Sequence, residues 1–118
     1  MNKYHARRTA TGYPSRLEAQ RAGELKLLQR AGKLSNLREQ VSVQLTKYVR
    51  WRVDFCYDEG IRTVYEEAKG IETEGYRIKK NLWRTHGPGL LRVMKRGPAG
   101  RIVCTEEVEP EGKPCNSP

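Results

Sequence analysis

The chain has 118 residues, enough for one small domain with a modest core and too few for two. It is 36% hydrophobic and 31% charged, and no stretch approaches the roughly 20 consecutive apolar residues of a membrane-spanning helix. The formal net charge is +9, and it is concentrated at the front: residues 1–53 hold 12 Lys and Arg against 3 Asp and Glu, residues 54–105 hold 10 against 7, and residues 106–118 hold 1 against 4. A basic front half suits a polyanionic partner, and nucleic acid is the commonest polyanion.

Residues 1–13 read as an extended basic arm without the apolar stretch of a signal peptide, so a cytoplasmic protein is expected. Pro14 and Ser15 then announce a helix, because Ser is a favoured N-cap and Glu18 follows three residues later. The helix is predicted to run to about Ala31, where Gly32 supplies a C-terminal stop. Leu17, Leu25 and Leu28 make most of its apolar stripe, and Glu18, spaced i, i+4, i+7 with Ala22 and Leu25, lies along the stripe's edge.

Three strands are predicted next. The first, about 40–49, alternates Val41, Val43 and Leu45 with polar residues. The second puts Trp51, Val53, Phe55 and Tyr57 on one face and Arg50, Arg52, Asp54 and Cys56 on the other. Asp58-Glu59-Gly60 is a hairpin turn. The third strand puts Ile61, Thr63, Tyr65, Glu67 and Lys69 on one face, and Gly70 ends it. Thr73 caps a second helix to about Thr85. In it Tyr76 and Trp83 are core residues, and Arg77, Lys80 and Arg84 form a basic stripe. A fourth strand covers Leu90 to Lys95, residues 96–100 turn, and 101–108 is a candidate fifth strand. The acidic, Pro- and Gly-rich end reads as a disordered tail. The boundaries expected are therefore an arm over 1–13, a core over 14–96, and a strand or hairpin with a tail over 97–118. The order helix, three strands, helix, strand predicts an α/β domain with a mixed central sheet flanked by helices.

Cys56, Cys104 and Cys115 form no C-x-x-C pair, so neither a zinc knuckle nor a redox pair is supported. His5 and His86 are read as ordinary surface residues. The chemistry instead lies in Glu18, Asp54 and Glu67-Ala68-Lys69. An acid on one strand and an acid-x-Lys on the next is a layout for metal-dependent phosphodiester hydrolysis. Mg²⁺ prefers oxygen ligands and typically binds through one or two carboxylates plus waters. Asp54 and Glu67 can supply carboxylates, the Ala68 carbonyl a third ligand, and Glu18 a direct or water-mediated one. Lys69 can orient the attacking water and offset charge on the phosphorane. Each residue also has a plainer explanation. Glu18 can be the reciprocal half of a capping box with Ser15, Asp54 can pair with Arg50 or Arg52, and Glu67 and Lys69 can be exposed strand charges. Glu66 competes with Glu67 for the acidic role, but it shares a face with Val64 and Ala68.

With these residues in this order the chain resembles the PD-(D/E)xK nuclease superfamily. The intervals from Glu18 to Asp54 to Glu67 and Lys69 look like those of archaeal-type Holliday junction resolvases and of the endonuclease subunit of heteromeric transposases. It is most similar to a phage and prophage family of small endonucleases. That likeness is carried by Asn2-Lys3-Tyr4, Ser15-Arg16-Leu17-Glu18-Ala19, Leu37 with Gln40, Val53-Asp54-Phe55, Glu67-Ala68-Lys69-Gly70, and Thr73 followed by Tyr76 and Lys79. It covers about residues 2–95. Three positions depart from the pattern: Val53 stands where the superfamily has its Pro, Glu67 where the phage family more often has Asp, and Val41 where a Pro is common. The resemblance implies a restriction-endonuclease-like core, Mg²⁺ catalysis with Mn²⁺ as a substitute, and a DNA substrate. The form expected is a branched-DNA endonuclease serving phage recombination or packaging in a bacterial host, and paired nicks on a junction would require a two-fold homodimer.

Phosphate contacts are expected from Lys3, Arg7 and Arg8 in the arm and from Arg77, Lys80 and Arg84, with Lys79 nearer the active site. Two other functions stay open at this point. One is a catalytically silent DNA-binding module that keeps a nuclease fold. The other is a subunit that cuts only within a larger assembly.

Overall fold

The computed structural model describes residues 15–69 and 72–111. The basic arm with Lys3, Arg7 and Arg8, the strand-ending Gly70, Cys115 and the end of the acidic tail lie outside the described residues.

Helix α1 spans Arg16–Arg30. Ser15 caps it in extended geometry, its Oγ accepting the Glu18 N–H at 3.1 Å. The other end closes as a Schellman turn, in which the N–H of Gly32 bonds the Gln29 carbonyl and that of Lys33 the Leu28 carbonyl. Gly32 sits at φ +80, where a side chain would be strained. The buried stripe of α1 is Glu18, Ala22 and Leu25. Leu28, expected in that stripe, lies a third exposed at the rim.

The strands are β1 (Ser35–Gln44), β2 (Arg50–Glu59), β3 (Arg62–Ala68), β4 (Leu90–Arg96) and β5 (Ile102–Val108), with helix α2 (Glu74–His86) between β3 and β4. They form one mixed sheet in the order β1-β2-β3-β4-β5. β3 and β4 are parallel and every other neighbouring pair is antiparallel. Parallel neighbours need a crossover, and α2, capped by Thr73 Oγ1 on the Tyr76 N–H, provides it. β1 starts and stops about five residues earlier than its alternation predicts. Its ladder with β2 reaches back to Ser35 opposite Asp58. Thr46 meanwhile folds residues 45–49 into a turn, its Oγ1 accepting the N–H groups of Tyr48 and Val49.

Two apolar clusters lie on opposite faces of the sheet, and the adjacent residues Leu90 and Leu91 go one to each. Under α1, Ala22 and Leu25 pack with Leu34, Phe55, Tyr57, Val64 and Leu90. Under α2, Tyr76 and Trp83 pack with Val43, Trp51, Val53, Leu91 and Val93. Trp51 meets both Tyr76 and Trp83 edge-on with ring centroids 5.7 Å apart, and the Trp83 indole N–H donates to the Gly89 carbonyl at 2.8 Å. A Cβ on Gly87 would stand 2.5 Å from that indole, so the chain leaves α2 at a position with no room for a side chain.

The clusters also correct one expectation. Trp51 and Val53 belong to the α2 face, whereas Phe55 and Tyr57 belong to the α1 face. A regular strand would keep all four together, so β2 switches faces at Asp54. The residue opposite Asp54 in β1 is Gln40, whose φ is +54. Both strands therefore break their alternation at the same rung.

Candidate active site

The β2–β3 ladder ends where Phe55 faces Glu66. Beyond that pair the strands part, and β3 continues only beside β4, with Glu67 opposite Val93 and Ala68 opposite Met94. Asp54 fills the fork. Its Oδ2 accepts the Ala68 N–H at 2.9 Å, a side-chain bond in place of a ladder bond. Neither Arg50 nor Arg52 takes Asp54 as an ion-pair partner; Arg50 donates to Gln44 instead.

Glu18 reaches the fork from the first turn of α1. Its N–H goes to the Ser15 cap, but its carboxylate turns inward, so only half of a capping box forms. Oε2 of Glu18 accepts from Nε2 of Gln40 at 2.6 Å, and the same amide lies 3.5 Å from Oδ1 of Asp54. Glu18 and Asp54 are close enough to share a hydrogen bond themselves. Glu67 from β3 and Lys69 just past its end act electrostatically on Asp54, and Lys69 Nζ lies 5.2 Å from the centroid of the Tyr76 ring. The structure thus brings Glu18, Asp54, Glu67 and Lys69 together.

All three acids are buried, and the crowding shows in their affinity for protons. Burial, then the charge of Asp54, pushes Glu18 up to about 7. Burial, then Asp54, pushes Glu67 up to about 8, against the opposing pull of Lys69. Asp54 is also raised by burial, although the Ala68 N–H, Gln40 and Lys69 work the other way. Oε1 of Glu67 is buried with no hydrogen-bond partner among the described residues. Acids raised by burial and by one another mark a site that calls for added positive charge.

Among the described residues no group of three or more His, Cys, Asp or Glu side chains forms a ready-made metal cage. Mg²⁺ does not require one, since one or two carboxylates completed by waters suffice. The donor set fits that ion: hard carboxylate oxygens only, one of them the unpartnered Oε1 of Glu67. Ala68 is engaged through its N–H on Asp54.

Glu66 has a different place. It is 0% exposed, its Oε1 and Oε2 accept from Nε and Nη2 of Arg21 at 2.8 and 2.7 Å, and the Tyr57 hydroxyl donates to it as well. That network is on the α1 face and leaves Glu67 as the acid at the fork.

The basic stripe of α2 is engaged with acidic partners, and only Lys80 of it is buried. Lys80 is 9% exposed and holds Glu72 at 3.2 Å and Glu106 at 2.8 Å. Arg84 also meets Glu106, at 3.5 Å, and Arg77 meets Glu72, at 3.8 Å. β5 supplies Glu106, a partner that no pattern within the helix could reveal. Lys79 lines a small cavity shared with Lys69, Thr73 and Tyr76. Cys56 is buried, Cys104 exposed, and His86 ends α2 on the surface.

Sequence reasoning gave no role to Gln40 or Arg21. Gln40 was visible only as a matching residue of the resemblance, and its bridge depends on a positive φ that sequence does not display. Comparison of the chain with family models, with curated proteins and with solved structures returned no significant match.

Proposed function

We propose that this protein is a Mg²⁺-dependent endodeoxyribonuclease on a restriction-endonuclease-like core, acting on branched DNA as a phage or prophage protein inside a bacterial cell. The observation that carries this reading is the meeting of three buried acids and one lysine at the β2–β3 fork. The five-stranded mixed sheet with a helix on each face is compatible with such a core. No helix among the described residues is long and apolar enough to cross a membrane.

Asp54 and Glu67 are the residues that would hold the ion, with Glu18 beside them. Bound there, Mg²⁺ would neutralise phosphate charge and make a water more acidic. Gln40 keeps the Glu18 and Asp54 carboxylates at a fixed separation. The Lys69 ammonium orients the attacking water and offsets charge growing on the phosphoryl oxygens. The Ala68 N–H fixes the rotamer of Asp54. Cys56, the thiol nearest in sequence to this site, is fully buried and takes no part.

The test is cleavage of a four-way junction, a flap, a linear duplex and a single strand, each with Mg²⁺, with Mn²⁺ and with EDTA. Metal-dependent cutting is expected, with the junction preferred, and Lys69→Ala should slow it by about 10²–10³-fold. Binding without cutting on every substrate would overturn the reading in favour of a silent module or a subunit lacking its partner.

Gln40 gives a sharper check of the site. Gln40→Ala and Gln40→Gly both remove the amide, and both should weaken Mn²⁺ binding by roughly 10–100-fold in calorimetry. The glycine variant should be more stable than the alanine variant by about 1–2 kcal/mol, because only glycine adopts φ +54 without strain. Wild-type affinity in both variants would show that the amide does not position the acids.

A further inference from the structure

We infer that the cleft between the start of α1 and the ends of β3 and β4 is a binding track for the DNA phosphodiester backbone next to the cut. This inference rests on the nuclease reading for the identity of the polyanion. The cleft has a volume of about 690 Å³ and is lined by Arg16, Leu17, Gln20, Lys69, Lys95 and Arg96. Four of the six lining residues are cations and none is acidic.

Arg21, Lys80, Arg84 and Arg92 are matched by Glu66, Glu72, Glu106, Glu59 and Glu107. Arg16, Lys69, Lys95 and Arg96 have no ion pair among the described residues. Arg96 is held in place by neutral acceptors only: Nη1 donates to Oε1 of Gln20 at 2.6 Å and to the Gly100 carbonyl at 3.2 Å. Its charge is thus oriented and left uncancelled. That is the condition for a phosphate contact, in which a fixed guanidinium meets an anion without first breaking an internal salt bridge.

The position of the cleft fits the same occupant. Lys69 lines both this cleft and the small cavity beside Lys79 and acts electrostatically on Asp54 and Glu67, so a backbone lying in the cleft would meet the lysine of the fork. The contacts are to the sugar–phosphate chain, so they give affinity and register without base preference.

Binding of a fluorescein-labelled four-way junction and duplex, measured by anisotropy in EDTA across a salt series, tests the inference. Arg16→Ala, Lys95→Ala and Arg96→Ala should each weaken binding by roughly five- to tenfold and lower the salt slope by about one. Arg30→Ala/Lys33→Ala, which removes two charges elsewhere on the surface, should stay within about twofold of wild type. Wild-type affinity in the cleft variants, or an equal loss in Arg77→Ala/Arg84→Ala, would overturn the cleft while leaving the nuclease intact. Cleft-dependent binding without metal-dependent cutting would uphold the cleft and overturn the nuclease. No DNA binding by the wild-type chain would overturn both.

Discussion

Between pH 5 and pH 8 the metal-free protein is expected to lose stability as the pH rises, and Mg²⁺ or Mn²⁺ is expected to restore it. Folded Glu18 and Glu67 hold protons up to about 7 and about 8, while the ordinary value for both is 4.5. Within that window the folded state binds more protons than the unfolded one, so stability falls with rising pH and levels off above about 8. One pKa unit corresponds to about 1.4 kcal/mol. The acids share their protonation, so the summed loss is on the order of 3 kcal/mol, or roughly 10 °C in Tm for a domain of this size. On the nuclease reading a divalent ion would bind the deprotonated cluster, so its stabilising effect should be small at pH 5.5 and large at pH 8. Asp54→Asn removes one of the crowded charges. It should raise the Tm in EDTA at pH 8 and cancel most of the Mn²⁺ effect. Thermal melts in EDTA and in Mn²⁺ across the pH range read all of this. A flat pH profile in EDTA, or a Mn²⁺ shift that survives in Asp54→Asn, would contradict it.

Arg21→Ala should cost about 3–5 kcal/mol, a large share of the roughly 5–15 kcal/mol that holds a domain folded. Arg21 meets Glu66 through two parallel hydrogen bonds, and Glu66 has no exposure to water. Without Arg21 the carboxylate is left in the core with the Tyr57 hydroxyl as its remaining donor. The double variant Arg21→Met/Glu66→Leu removes both charges and should recover most of the loss, as apolar replacements of buried pairs commonly do. Urea unfolding of the two variants measures the difference. The pair also ties α1 to β3 one turn beyond Glu18. Mn²⁺ affinity should therefore return with stability in the double variant. If stability recovers and Mn²⁺ affinity does not, the Arg21 charge itself acts on the site.

Much of the frame was legible because it is written in local signals. Ser15, Gly32 and Thr73 mark helix ends by hydrogen-bonding and φ preferences that act over a few residues. Glu67 could be chosen over Glu66 because β3 keeps strict alternation, and Glu66 proved to face α1 with Val64. Where alternation fails, the reading failed with it: Trp51, Val53, Phe55 and Tyr57 look like one face and are two. The partners of Arg21 and Lys80 were hidden for another reason. Glu66 lies 45 residues from Arg21, and Glu106 lies 26 from Lys80. Such pairs are set by sheet order, which local patterns do not encode. The likeness quoted for Gln40 marked the position without explaining it. Its backbone conformation and its reach to Glu18 and Asp54 exist only once β1 lies on β2.

The kink at Gln40 has a consequence for how the molecule keeps to itself. β1 is ten residues long and, among the described residues, ends the sheet on one side with β2 as its neighbour. A flat strand of that length at a sheet border would offer a template for a stray strand of another chain, the route to edge-to-edge aggregation. Asn36 and Gln40, both at positive φ, and the register shift between Ser35 and Arg38 interrupt that border. Such breaks shorten any in-line run of N–H and C=O groups that a visiting strand could use. The distortion that holds Glu18 and Asp54 together thus also guards the exposed flank of the sheet, and a substitution that straightened β1 would risk solubility as well as chemistry.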